Sequence, residues 1–105
     1  MQIKWVIEWP WGDSTEVFEK LSIGRDPDFS PLAARLNAYP NISRRHAELQ
    51  RVAQGISVHD LGSVNGTFVA GQRITPDAPV LLEHNTRLRF ARDLDVHLKI
   101  IREAS

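Results

Sequence analysis

The stretch Ala47-Glu48-Leu49-Gln50-Arg51-Val52-Ala53-Gln54-Gly55-Ile56-Ser57-Val58-His59-Asp60 decides the fold class. Residues 47–52 and 56–60 read as two strands, and Ala53-Gln54-Gly55 between them suits a tight hairpin. The same pattern continues outward in both directions. Upstream, residues 2–9 place Ile3, Trp5 and Ile7 on one face and Lys4 and Glu8 on the other, the period-two alternation of a strand. Pro10-Trp11-Gly12-Asp13 breaks that strand with turn residues. Residues 14–20 alternate again, so a hairpin with the first strand is expected. Residues 21–23 form a third short strand that runs into Gly24-Arg25. Downstream, residues 67–69, 72–74, 79–82, 86–90 and 95–102 each read as a strand, with Val96, Leu98 and Ile100 inward in the last. About ten or eleven short strands with turn signals between them predict an all-β chain folded as a β-sandwich.

Residues 25–42 interrupt this regularity. Asp26-Pro27-Asp28-Phe29-Ser30-Pro31 is a loop with two prolines. Residues 32–36 suit one helical turn, with Ser30 as cap and Pro31 at the first helical position. Loops of this length are uncommon unless functional, and this one leads directly into Ser43.

The bulk numbers set the bounds. At 105 residues the chain suits a single domain with one core. Hydrophobic residues make up 42% and charged residues 25%, an ordinary globular composition. Thirteen basic and thirteen acidic residues cancel, which argues against a general nucleic-acid or membrane binder. With no cysteine there is no disulfide framework and no cysteine-ligated metal, and a cytoplasmic location is the default expectation. Neither a signal peptide nor a membrane-spanning apolar run is present in the sequence. The charge is uneven, however. Residues 29–47 contain Arg35, Arg44 and Arg45 and no acid, which reads either as chance or as a basic pocket in one loop region.

Three loops carry unusual chemistry: Gly24-Arg25, then Asn41-Ile42-Ser43-Arg44-Arg45-His46, then Ser63-Val64-Asn65-Gly66. In a sandwich, loops at one end cluster in space and assemble a site on a rigid scaffold. Arg25 offers a planar fork of donors that matches phosphate oxygens, or it forms a plain surface ion pair with Asp26 or Asp28. Ser43 beside Arg44 sets a hydroxyl next to a cation, which suits a tetrahedral dianion. A nucleophile–base reading of Ser43 with His46 lacks a carboxylate near in sequence to orient the ring, so no catalytic residue is assigned. His46 also lacks metal-ligand spacing with His59, His84 or His97, so no metal or cofactor is expected. Its expected role is a half-buried brace for the loop. Asn65-Gly66 is a hairpin-turn dipeptide, or its amide clamps an extended peptide through paired donor and acceptor.

In order, Leu21-Ser22-Ile23-Gly24-Arg25, Ile42-Ser43-Arg44-Arg45-His46-Ala47 and Asp60-Leu61-Gly62-Ser63-Val64-Asn65-Gly66-Thr67-Phe68-Val69 resemble the forkhead-associated (FHA) domain. The match runs from about residue 21 to residue 101. The resemblance implies a sandwich of about eleven strands, FHA/SMAD-like, that binds phosphothreonine peptides through loops at one end. Carried over by position, Ser43 and Arg44 would bind the phosphate directly, and Arg25 would contact the phosphate or the peptide backbone beside it. Asn65 would hydrogen-bond the peptide main chain. Gly24, His46 and Gly66 would be structural, and Asn41 would read a residue downstream of the phosphothreonine. Val64 departs from the family pattern. It cannot donate a hydrogen bond, but it can wall the pocket against the threonine methyl. Ala70 replaces a frequent asparagine in a turn, Asn85-Thr86 stands where Gly-Asp is common, and the loop before Ser43 is longer than in compact members.

The expected function is that of a monomeric, non-enzymatic phosphothreonine-binding module in intracellular signalling. Its partner would be a phosphorylated protein or peptide, with neither nucleic acid nor membrane involved. Two other readings stand beside it. One is a phosphate-independent interaction domain using a sheet face and some of Trp5, Trp9 and Trp11. The other is a phosphoester hydrolase using Ser43 and His46.

Overall fold

The structure is a computed structural model that describes residues 2–103. Ten strands and one short helix follow in the order β1 (Gln2–Glu8), β2 (Ser14–Glu16), β3 (Lys20–Ile23), α1 (Ala33–Leu36), β4 (Ala47–Val52), β5 (Gly55–Asp60), β6 (Thr67–Val69), β7 (Gln72–Arg73), β8 (Val80–Leu82), β9 (Arg87–Phe90) and β10 (Leu94–Glu103). They form two antiparallel sheets. One has six strands in the order β2-β1-β10-β9-β6-β7, the other four in the order β3-β4-β5-β8. This is the all-β sandwich expected from the sequence, with ten strands among the described residues.

Alternating residues from both sheets fill the space between them. Ile7, Ile23, Leu49, Ile56, Val58, Leu88, Phe90 and Leu98 are fully buried there. All are apolar and recur at alternate strand positions, so the period-two pattern becomes the core directly. Trp5 and Trp9 are buried as well. Trp11 is half-buried, stacked on Trp9 with ring centroids 5.1 Å apart.

The single strand expected over residues 14–20 is two strands in different sheets. Val17 is fully buried and gives its N–H to the Trp5 carbonyl at 2.8 Å. There the chain leaves β1's sheet, and from Lys20 it pairs with β4 instead. Phe18, at the crossing, is 73% exposed. The helix also differs from expectation. Its N-cap is Leu32, not Ser30. The Ser30 hydroxyl accepts the Leu32 N–H at 3.1 Å and donates to the Ser22 carbonyl at 2.7 Å, so it ties the long loop to β3.

The registers decide where the three motif loops emerge. Ile23 pairs with Ala47, and Ala47 pairs with Asp60. These residues make one row across the four-stranded sheet. The loops that leave β3, enter β4 and leave β5 therefore start side by side.

Candidate functional site

Gly24 is a closely packed point of this loop cluster. A Cβ at Gly24 would land on the Arg44 carbonyl, so only glycine lets the two chains approach this closely. Around that contact the backbones stay paired beyond the strands. Arg25 N–H donates to the Ser43 carbonyl at 3.2 Å, Asp26 N–H to the Arg44 carbonyl at 3.0 Å, and His46 N–H to the Ile23 carbonyl at 2.9 Å. Arg25 is half-buried, and its Nε donates to the Ile42 carbonyl at 2.5 Å. That bond leaves the Nη groups of its guanidinium to act as donors.

His46 joins the second loop to the third. Its ring is fully buried, edge-on to Phe90 with centroids 5.9 Å apart. Nδ1 accepts the Ser43 N–H at 3.0 Å, and Nε2 donates to the Gly66 carbonyl at 2.8 Å. These partners fix the neutral tautomer with the proton on Nε2. Burial pushes the His46 pKa below its ordinary value, the Gly66 carbonyl and Asp60 carboxylate oppose this, and Arg73 adds to the lowering. The ring is fully buried rather than half-buried as expected, and its two hydrogen bonds join the two loops. His46 meets the Ser43 backbone, not the Ser43 hydroxyl, so it is not placed to take a proton from Oγ.

The third loop is built on a buried carboxylate. Asp60 accepts the hydroxyls of Ser63 at 2.6 Å and Thr67 at 2.7 Å, and the N–H groups of Gly62 at 3.0 Å and Ser63 at 3.2 Å. The Ser63 hydroxyl in turn accepts the Gly66 N–H at 3.0 Å. Burial alone would raise the Asp60 pKa, but these hydrogen bonds outweigh it and hold the carboxyl below its ordinary value. Gly66 has φ +91, a conformation that favours glycine. The loop then meets the second one twice. Val64 N–H donates to the Ser43 hydroxyl oxygen at 3.1 Å, and Asn65 Nδ2 donates to the Asn41 carbonyl at 2.9 Å. The first bond uses a lone pair of Ser43 Oγ and leaves its O–H to donate. The Val64 side chain is 80% exposed.

Asp26 was readable only as a plain partner for Arg25. Instead it pairs with Arg44 at 3.5 Å and Arg45 at 3.4 Å. The Asp28 N–H hydrogen bond is the largest influence that lowers its pKa, burial opposes it, and the two arginines lower it further. Arg44 and Arg45 lie in a turn ahead of β4. Both reach one carboxylate, and Arg45 also lies 5.6 Å over the Phe29 ring. Asn41 keeps its side chain at the rim, where Nδ2 donates to Asp93 at 3.4 Å.

One neighbour escaped the sequence reading. Arg73 of β7 donates from Nη2 to the Val64 carbonyl at 3.4 Å and lies against Gly66. The signal was available. Ala70-Gly71 makes a hairpin turn whose pairing sets Arg73 opposite Phe68, three residues past Asn65.

The β-sandwich gathers three adjacent loops into one hydrogen-bonded cluster at one sheet end. The family model "FHA domain" matches residues 21–91. The chain belongs to the FHA-domain family, whose domains are interaction modules. Among curated proteins it is 46% identical over 61 residues to an Arabidopsis thaliana protein named as a protein phosphatase 1 regulatory inhibitor subunit PPP1R8 homolog, covering 57% of this chain and 16% of that protein. It is 39% identical over 80 residues to the Arabidopsis FHA domain-containing protein PS1, covering 74% of this chain and 5% of that one. The chain thus spans a small part of both relatives. Among solved structures, the MEK1 FHA domain in complex with a phosphothreonine peptide of HOP1 superposes with a TM-score of 0.75 at 20% identity, covering 91% of this chain and 95% of that one. That likeness establishes the fold.

Proposed function

We propose that this chain is a phosphothreonine-dependent peptide-binding module that carries out no catalysis itself. The observation that carries the reading is the network joining Arg25, Ser43, Asn41, Val64 and Asn65 at one sheet end. The Ser43 O–H, the Arg25 Nη groups and the Arg44 guanidinium supply donors to the phosphate oxygens. Charge-assisted bonds of this kind contribute about 1.5–3 kcal/mol each. For Arg44, engagement means exchanging Asp26 for phosphate. Asn65 has a second amide N–H and its Oδ1 for the peptide main chain. Val64 packs against the threonine methyl, which favours phosphothreonine over phosphoserine. Asn41 contacts a residue downstream. Gly24, His46 and Gly66 hold the loops. The solved complex of a family member with a phosphothreonine peptide supports the same reading. The module would work as a monomer in cytoplasmic signalling. The reading through the tryptophans loses support, because Trp5 and Trp9 are core residues.

Calorimetric titration of a phosphothreonine peptide library tests this, with phosphoserine and unphosphorylated forms of each hit. Phosphate-dependent binding with threonine preferred is expected. If no peptide in the library binds in a phosphate-dependent way, the proposal is wrong.

A further inference from the structure

Strand pairing sets Phe68 between two arginines on the outer face of the six-stranded sheet. Phe68 stands opposite Arg73 on β7 and opposite Arg89 on β9. Leu88 and Phe90 are buried, so by alternation Arg87 and Arg89 face outward. Arg89 lies 4.0 Å over the Phe68 ring and gives its Nε–H to the Ala91 carbonyl at 3.1 Å. Asp95 is its register partner across the sheet, yet the two form no ion pair. Arg87 likewise has no carboxylate partner among the described residues. Both arginines line an open groove of about 760 Å³, walled by the loop at residues 83–86. Arg73 links this face to the loop cluster through its bond to the Val64 carbonyl.

We propose that this groove docks an acidic, Asp- and Glu-rich segment of the same partner whose phosphothreonine occupies the loop cluster; this rests on the function proposed above. The track is Arg73, Phe68, Arg89, Arg87. Guanidinium groups that lack carboxylate partners within the chain are complementary to carboxylates from outside it. Asp95 of β10 and Glu83 of the 83–86 loop also line the groove and oppose an acidic segment where they stand, which confines it to this line. Arg73 and Arg89 are two strand spacings apart, about 10 Å, which an extended chain covers in about three residues. One continuous peptide therefore reaches from the loops onto the groove.

The test compares a phosphothreonine peptide from the library with versions extended by about six residues. The extension is acidic or made of Ser and Gly, and is placed on either the N- or the C-terminal side. An acidic extension on one side is expected to tighten binding about fivefold over the neutral one at low salt, with the gain shrinking as salt rises. The R87A/R89A double variant should lose that gain and bind the unextended peptide as the wild type does. Arg87→Gln alone serves as the probe if the double variant lowers the thermal transition. The proposal is overturned if neither acidic extension gains over the neutral one, or if the gain survives in both variants. If the unextended peptide shows no phosphate-dependent binding, the phosphopeptide function itself fails, and this inference with it.

Discussion

His46 donates its Nε2–H to the carbonyl of Gly66 at 2.8 Å, and the ring that does so is wholly buried. One side chain thus fixes the distance between the loop that carries Ser43 and the loop that carries Asn65. Removing it leaves a Gly66 carbonyl and a Ser43 N–H without a partner, along with a cavity. His46→Ala should cost about 2–4 kcal/mol of stability in urea unfolding. Phosphopeptide affinity should fall as well, even at temperatures where the variant remains folded. A stability loss below about 0.5 kcal/mol would contradict the brace.

The same ring sets a pH dependence. Its folded pKa is lowered from 6.5, chiefly by burial. Below about pH 6.5 the unfolded chain therefore takes up a proton that the folded chain refuses, and stability falls as pH falls toward the lowered folded value. Above that range the effect vanishes. Asp60 acts lower down. Its folded pKa lies below 3.8, so its contribution is present above that value and is lost as pH falls beneath it. Urea midpoints from pH 8 to pH 3 should show both declines, and His46→Gln should flatten the upper one.

Gly24→Ala tests the close approach of the first two loops. The added methyl meets the Arg44 backbone carbonyl, and a backbone group cannot swing aside as a side chain can. Destabilisation of about 2 kcal/mol or more is expected, as for other overpacked sites. The loop amides of residues 24–26 and 43–46 should show the largest changes in NMR shift. A variant with the wild-type thermal midpoint would rule out the steric account.

Arg25→Ala and Ser43→Ala should separate binding from folding. Each removes a donor proposed for the phosphate, so phosphopeptide affinity should drop about tenfold to a hundredfold by calorimetry. Arg25 Nε also donates to the Ile42 carbonyl and Ser43 also accepts the Val64 N–H, so each variant should lose a little stability, about 1 kcal/mol or less. Wild-type affinity in either variant would remove that residue from the site.

Ala70→Asn should stabilise the protein. Ala70 has φ 49 and Gly71 φ 85, so the β6–β7 turn has both central residues in the left-handed region. Alanine carries a cost there that asparagine largely avoids. A gain of about 0.5–1 kcal/mol is expected, read as a rise in thermal midpoint with unchanged peptide binding.

The sandwich and the loop cluster were largely legible from sequence because both rest on local signals. Alternation gave the strands, and short polar motifs marked the loop ends. What escaped depends on pairings that alternation and turn signals do not encode. Residues 14–20 alternate like one strand, and nothing local reveals that buried Val17 ends one sheet while Lys20 opens the other. Ser30 accepts the Leu32 N–H as a capping hydroxyl would, but its second bond to the Ser22 carbonyl and the N-cap at Leu32 are not visible in the local pattern. Nothing local to Arg44 and Arg45 reveals that Asp26 draws both together across the loop. Arg73 needed the hairpin register, and Asp60 looked like turn chemistry until its four hydrogen bonds were visible.

The long loop between β3 and β4 is latched at both ends by main-chain bonds, from Arg25 to Ser43 and from Asp26 to Arg44. Those bonds hold whatever side chains lie between the latches. Exposed positions of this loop can therefore vary around the buried Ser30, Ala33 and Leu36 while the anchoring groups stay in position. Inherited variety and laboratory grafting have the same place to act. A grafted segment that keeps Ser30, Ala33 and Leu36 would meet the sheet end already assembled.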